Sequence, residues 1–200
     1  MKKRFLSVSI FLLLTVGSVF AADLNKAKQT DYQVGDRLKQ NSAQPKVKTP
    51  YKDMQWDALV PKGWDPSKLF QNENFDMMSD ADPKAMALLK KIREVWDNAP
   101  VNEELNGAKI RIPGFLVPLE GSKKTFTEFL LVPYFGACIH TPPPPANQII
   151  HVTAVKPLKS AGIMDAVWVS GTLKTSHTKN DMGDAGYKMA GEVIVPYQGK

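Results

Sequence analysis

From residue 106 to residue 197, apolar and polar residues alternate in short runs that are separated by turns rich in Gly, Pro and Ser. The runs read "GAKIRIPGFLVPLE" (107–120), "TFTEFLLVPYFGACIH" (125–140), "NQIIHVTAV" (147–155), "DAVWVSGTLKT" (165–175) and "YKMAGEVIVPY" (187–197). Alternation with a period of two is typical of β-strands. The first run could be two short strands or one strand that bends at Pro113–Gly114, and Gly114, Gly136 and Gly171 could each relieve a sharp bend.

These strands, with one helix upstream, predict a mostly β fold. We expect a small curled antiparallel sheet or an OB-like β-barrel, and an open α+β sheet is the alternative. The helix is predicted from Pro83 to Val95, with Asp82 as the N-cap and Pro83 in the first turn, where a missing N–H costs nothing. Its buried face is predicted from 3.6-residue spacing, and comprises Ala85, Leu88, Leu89, Ile92 and Trp96.

The first residues of the chain predict export. Three basic residues precede an apolar run from Phe5 to Phe20, and Ala21 and Ala22 follow. This order is that of a secretory signal peptide, and we expect cleavage after Ala21. The run is short for a membrane span, which needs about 20 apolar residues. We therefore expect a periplasmic protein that is soluble, and does not span the membrane, once residues 1–21 are removed.

The remaining chain is expected to contain a flexible arm at residues 22–50 and a single β-rich domain at residues 51–200. The arm is polar and has too little apolar surface to offset the entropy of ordering. At the start of the domain, residues 51–64 are expected to wrap around it, held mainly by packing of Trp56 and Trp64.

Charge argues against nucleic acid as a partner. The chain has 26 Lys and Arg against 20 Asp and Glu, and removal of the three basic residues of the leader lowers the net charge from +6 to +3. No dense basic stripe with interleaved aromatic residues is present in the sequence, and an exported protein seldom meets nucleic acid.

The single cysteine and all three histidines fall between residues 138 and 177. Cys138 and His140 precede four prolines, Pro142–Pro145, and His151 follows them. Side chains two residues apart share a face of a strand, so a hairpin that turns at the prolines would bring Cys138, His140 and His151 to one side. Only a bulge that shifts one strand by one residue would separate them.

Thiolate and imidazole are zinc ligands, so these three residues form a possible zinc site, with His177 as a fourth ligand and Asp181 or Asp184 nearby in sequence. A buried, inert cysteine with hydrogen-bonded or exposed histidines is the plainer interpretation. Nucleophilic catalysis by Cys138 is disfavoured because a cysteine in mid-strand lacks the positive surroundings that lower a thiol pKa. The sequence has no phosphate loop, nucleophile elbow or H-E-x-x-H motif, so we expect a protein that is not an enzyme.

Three stretches resemble a known family: "WDALVPKGW" (56–64), "LNGAKIRIPGFLVPLE" (105–120) and "FLLVPYFGACIHTPPPPANQIIHV" (129–152). They are similar to bacterial exported proteins catalogued as domain of unknown function 3299, and the likeness covers roughly residues 51–197. Such proteins look like companions of ABC-transporter components in systems linked to zinc supply. The resemblance therefore implies transporter components as partners and makes zinc a more plausible cofactor.

Two hypotheses follow. In the first, the protein is an exported accessory of an ABC-type transport system that holds zinc through Cys138, His140 and His151. In the second, it is a structural or interaction module of a cell-envelope transporter complex, in which the prolines, Tyr134, Phe135 and the arm contact a partner and Cys138 is part of the core.

Overall fold

The computed structural model of the protein describes residues 32–39, 50–69, 82–119, 125–159 and 161–198. The predicted signal peptide at residues 1–21 lies outside these ranges, as do residues 22–31 and 40–49 of the predicted arm.

Six strands and one α-helix make up the described part of the chain. The strands are β1 (Lys52–Asp53), β2 (Lys109–Pro118), β3 (Thr125–Val132), β4 (Ile150–Lys159), β5 (Ala166–Thr178) and β6 (Ala185–Pro196), and the helix α1 spans Pro83–Asp97. Short 3₁₀ helices lie at Trp56–Leu59, Pro66–Leu69, Glu103–Leu105 and Ala146–Gln148. The prediction of a mostly β fold with one upstream helix is confirmed.

The strands form one sheet that curls until its hydrogen bonding closes. The order is β1-β2-β3-β4-β6-β5, and β5 also pairs with β2, so that β2 to β6 form a ring. The sheet is mixed, because β4 pairs with β6, and β1 with β2, in parallel. The parallel pair arises because β5 crosses over to β2 and β6 then returns between β4 and β5, a non-local arrangement that strand patterns do not reveal.

Strand β2 is one continuous strand that changes partner along its length. Its residues from Lys109 to Phe115 pair with β5, and those from Phe115 to Pro118 pair with β3. Of the two alternatives for this run, one strand passing through Pro113–Gly114 is therefore correct. Gly114 lies where the partners change, and a Cβ there would come within 2.7 Å of Leu131 Cγ.

Helix α1 begins as predicted and ends two residues later. The Asp82 carboxylate accepts a hydrogen bond from the Lys84 N–H (2.8 Å), and Pro83 occupies the first turn. Ala85 and Leu88 are buried and Ile92 and Trp96 are half-buried, whereas Leu89 is 59% exposed. The prediction for Leu89 is wrong because the buried stripe continues through half-buried Val95, which places Leu89 beside the stripe rather than within it. Within the described residues, no helix combines the length and apolarity needed to cross a membrane.

The segment that precedes the helix wraps the ring as expected. Trp56 is buried, and its indole N–H donates to the Pro113 carbonyl (2.7 Å) on β2. The amide group of Gln148 donates to the Trp56 carbonyl (2.8 Å), which ties this segment to the start of β4. Trp64 is half-buried, so Trp56 is the main anchor.

Candidate functional site

The segment that contains Cys138 is a compact turn, residues 134–141, which we call the Cys138 turn. Strand β3 ends at Val132, six residues before the cysteine. Gly136 and Cys138 both have positive φ angles, +86° and +64°, which a regular strand does not tolerate. The Gly136 carbonyl accepts from the N–H groups of Ile139 (3.3 Å), His140 (2.8 Å) and Thr141 (3.1 Å), so the chain folds back on one acceptor.

The hairpin predicted across the prolines is therefore wrong. Strand β3 does pair with β4 in antiparallel fashion, but His151 lies opposite Leu130, and Cys138 and His140 lie outside the ladder. The prediction failed because Val132 is followed by Pro133, and the left-handed residues at 136 and 138 stop the pairing well before the tetraproline. Proline removes a backbone donor and is poorly tolerated inside a sheet.

Cys138 packs against an apolar cluster that lies outside the ring. This outer cluster contains the buried side chains of Phe115, Val117, Leu130, Val132, Ala137, Ile149, Met164 and Ala185, with Cys138 among its partly buried neighbours. Burial raises the pKa of the Cys138 thiol to about 12, and the nearby Arg93 guanidinium only partly opposes this effect. The thiol is therefore protonated at neutral pH, which makes it a poor nucleophile.

His140 and His151 face different surroundings. His140 is exposed in the Cys138 turn. His151 lies on β4, with Nε2 3.5 Å from Glu128 Oε2 on β3. That approach does not have hydrogen-bond geometry, and the buried Nε2 has no hydrogen-bond partner among the described residues.

His177 belongs to a separate polar cluster where β5 ends and β6 begins. Its Nε2 lies 3.8 Å from Asp184 Oδ2. Burial and the negative charge of Asp184 raise the pKa of Asp97, at the end of α1, against the opposing charges of Arg93, His177 and Lys179. Asp184 was predicted to lie near His177 in sequence, whereas Asp97 was not predicted, because nothing in the helical pattern shows which strand end the C-terminus of α1 approaches.

The four residues of the predicted zinc site are thus spread over the Cys138 turn, β4 and the end of β5. Across the described ranges, which include all four, no three His, Cys, Asp or Glu side chains are placed to share a metal ion. The structure thus does not gather these four side chains, and zinc binding stays a prediction from the sequence.

Part of the predicted flexible arm packs against the Cys138 turn. Residues 32–39, which we call the strap, place Tyr32 and Leu38 against the outer cluster. An isolated antiparallel bridge joins Arg37 to Tyr134. The polar composition of the arm hid this contact, although Tyr32, Val34 and Leu38 are three of its few sizeable apolar residues.

Comparisons with known proteins agree with the fold and give no activity. A family model described as "Protein of unknown function (DUF3299)" matches residues 56–196. The crystal structure of a DUF3299 family protein from Pseudomonas aeruginosa PAO1 is similar, with a TM-score of 0.60 and 33% sequence identity, over 76% of this chain and 99% of that one. A search of curated proteins gave no match.

Proposed function

We propose that this chain, which belongs to the DUF3299 family, is an exported, non-enzymatic accessory protein that binds a partner through its Cys138 turn. The partner we propose is a component of an ABC-type transport system of the cell envelope. In this proposal the protein works as an interaction module, and the cysteine is part of its packing.

The observation that carries the proposal is a backbone-braced turn with exposed side chains at its tip. Ile139 is 38% exposed and His140 is exposed, while the N–H groups of both residues are held by the Gly136 carbonyl. The Gly136 N–H in turn lies 3.3 Å from the sulfur of buried Met164. A surface that is already ordered loses little conformational entropy on binding, so an apolar side chain presented in this way favours association.

The four prolines extend this surface. Pro142 is exposed and Pro144 is buried, so the segment lies along the protein with one side outward. A Cβ on Gly183 would come within 2.7 Å of Pro143 Cβ, which shows how closely the prolines pack on the turn between β5 and β6. Proline has a fixed φ and no N–H, so this surface is stiff and offers a partner mainly apolar contact and carbonyl acceptors.

Site-specific cross-linking tests the proposal. A photoreactive amino acid replaces Ile139 in the full chain, expressed in the native host, and Val155 provides a matched control because it is apolar, 63% exposed and in the middle of β4, outside the Cys138 turn. We expect a cross-link to a transport-system component from position 139 and none from position 155. Ile139→Asp should then lower co-purification of that component by about tenfold or more.

Equal cross-linking from both positions would reject the turn as the binding surface. The same conclusion would follow if Ile139→Asp left co-purification unchanged in a chain with unaltered thermal unfolding. Capture of a protein unrelated to transport would keep the interaction module and reject the proposed partner class.

Metal analysis separates this proposal from the zinc hypothesis. Protein purified under reducing conditions, without chelators, should contain far less than one zinc ion per chain, and Cys138→Ser or His151→Ala should not change that content. One tightly bound zinc per chain that is lost in both variants would replace the proposal by a metal-binding role.

A further inference from the structure

The strap is joined to the Cys138 turn through main-chain groups. The Gly35 N–H donates to the Phe135 carbonyl (2.9 Å), and the Phe135 N–H donates to the Asp36 carbonyl (2.9 Å). Two successive strap residues therefore oppose Phe135, which is the pattern of a glycine β-bulge, next to the antiparallel bridge between Arg37 and Tyr134. Main-chain pairing of this kind holds a segment without specifying most of its side chains.

One aromatic side chain anchors the N-terminal end of the strap. The Tyr32 ring meets Phe115 edge-on at 5.1 Å between centroids and lies 5.9 Å from the ring of Phe135. Phe115 and Phe135 themselves meet edge-on at 5.6 Å, so the three rings pack together at geometries that aromatic pairs favour. The two phenylalanines form a socket for an aromatic side chain.

A tight turn lies between the aromatic anchor and the paired backbone. The Asp36 N–H donates to the Gln33 carbonyl (3.0 Å), and the Gln33 N–H donates to the Asp36 carboxylate (2.8 Å). Gly35 has φ +96°, a conformation that glycine adopts readily and other residues rarely do. The part of the strap that contacts the Cys138 turn thus has an aromatic residue, Tyr32, three positions before a Gly-Asp pair, Gly35 and Asp36.

The strap is held weakly in comparison with the strands. Residues 33–37 and 39 are exposed, Val34 to 54%, and only Tyr32 and Leu38 are half-buried. Arg37 adds a cation–π contact with Tyr134, 5.7 Å from its guanidinium carbon to the ring centroid, and the Tyr197 hydroxyl donates to the Lys39 carbonyl. Segments with few buried contacts open at a small free-energy cost.

We propose that the strap is an intramolecular ligand, and that the groove formed by Phe115, Tyr134, Phe135 and Gly136 also accepts a partner's turn of the same chemistry. This inference rests on the proposed function, and it assigns the partner a recognition element: an aromatic residue three positions before a Gly-Asp pair. The groove adjoins Ile139 and His140, so one partner can fill the groove and contact the tip of the turn.

The strap then sets the affinity for that partner. A tethered segment competes at an effective concentration in the millimolar range. A partner's turn must therefore gain contacts that the strap does not make, and exposed Ile139 is placed to supply them. The free protein keeps its aromatic socket covered until such a partner arrives.

A peptide-binding experiment on the full chain tests this inference. The probe is a fluorescein-labelled peptide of residues 30–41, and its binding is followed by fluorescence anisotropy. Tyr32→Ala in the protein removes the anchor of the strap, and Gln33→Ala is the matched control because only the backbone of Gln33 makes the turn contacts. We expect the Tyr32→Ala chain to bind the probe about tenfold or more tightly than wild type and Gln33→Ala, and a probe lacking the tyrosine to fail.

A second variant keeps the inference testable if Tyr32→Ala does not fold. Gly35→Pro cannot donate to the Phe135 carbonyl or adopt the positive φ, and its site is exposed, so it should release the strap and leave the ring intact. The inference would be overturned if the folded Tyr32→Ala and Gly35→Pro chains bound the probe no more tightly than wild type, or did not bind it. A chain that binds the probe but gives no cross-link from position 139 would keep the groove and reject the proposed partner surface, so the two failures are distinguishable.

Discussion

The described part of the chain contains two apolar clusters on opposite faces of the same curled sheet, and they are completed in different ways. The inner cluster receives side chains from all five strands of the ring, among them Ile112, Phe129, Val152, Val169 and Tyr187. The outer cluster takes neighbouring residues of β2 and β3, such as Phe115 and Leu130, which point to the other face. Regular strands supply most of the inner cluster and the wrapping segment completes it with Trp56, whereas the outer one depends on a turn and a strap.

The inner cluster therefore stabilises the fold, whereas the outer cluster carries the proposed binding surface. Most inner-cluster side chains lie on hydrogen-bonded strands of the ring, so they open only when the ring does. The outer cluster is covered in part by the exposed strap, whose removal would uncover Phe115 and Phe135. The proposed binding surface lies on the outer cluster, which is the less firmly closed of the two clusters.

The largest expected effect is on the inner cluster. Phe129 is fully buried and meets Phe126 edge-on. Phe129→Ala should lower the free energy of unfolding by about 3–5 kcal/mol, because it removes buried apolar surface and leaves a cavity. Urea denaturation measures the loss, and half-buried Phe135→Ala in the outer cluster is the comparison. A smaller loss for Phe129→Ala than for Phe135→Ala would contradict the distinction drawn between the clusters.

The second prediction concerns the reactivity of Cys138. Its pKa is raised from the ordinary 9.0 to about 12, so the folded chain should hold on the order of a thousandfold less thiolate at pH 8 than the unfolded chain. Iodoacetamide should therefore modify the native protein more slowly than the urea-unfolded protein by a factor of about 100–1,000. Comparable rates would show that the outer cluster does not bury this thiol.

The same shift predicts a pH dependence. Because the folded pKa of the thiol lies above its unfolded value, the contribution of this group to stability is full below about pH 9 and is lost as the pH rises towards 12. Stability measured between pH 9 and 11 should fall less steeply in Cys138→Ser than in wild type. Tyr187, whose pKa is also raised to about 12 by burial, titrates in both chains and does not alter the comparison.

Two glycine substitutions of equal size should act differently in the two regions. A Cβ on Gly171 in β5 would lie 2.0 Å from the Ala190 carbonyl oxygen, so Gly171→Ala should destabilise the ring by about 1–3 kcal/mol. Gly136→Ala forces a positive φ on alanine and crowds Val34, at a cost of about 1–2 kcal/mol. Hydrogen exchange should become faster across the strand amides in Gly171→Ala. In Gly136→Ala it should become faster at the amides of Gly35 and Phe135. If amide exchange became faster across the whole sheet in both variants, the two clusters would not open independently.

The smallest effect is expected from the strap itself. Tyr32→Ala should lower the free energy of unfolding by about 1 kcal/mol, since it removes one half-buried aromatic contact. The Phe135 amide should then exchange much faster, while the β3 amide of Leu131 keeps its protection. A loss of several kcal/mol, spread over the whole sheet, would make the strap a structural element of the core.

Local patterns predicted the elements whose side chains repeat regularly. Asp82 and Pro83 marked the start of α1, and alternation located the five long strands. The same rule placed Cys138 in a strand, because Ala137, Cys138 and Ile139 continue an apolar run. The structure ends β3 at Val132 and folds the run into a turn held by the Gly136 carbonyl. A left-handed cysteine has no signature in the sequence.

Contacts between distant residues were equally hidden. The sequence placed Tyr32 in a polar arm, and nothing in that arm indicates that Phe115 and Phe135 form a socket for it. The approach of Asp97 to Asp184 depends on where α1 lies against the end of the ring. Clustering of His and Cys along the chain suggested a metal site, but β3 ends at Val132 and leaves Cys138 and His140 outside the ladder that contains His151.

The sequence by itself determined that the chain is mostly strand, where its helix begins and which family it belongs to, because these follow from local periodicity, capping and matching residues. Tertiary structure alone decided that β6 enters between β4 and β5, that Cys138 is a protonated thiol in a turn, and that the strap covers an aromatic socket. Each of these depends on contacts between residues far apart in the chain, which become favourable only when the closed ring brings them together.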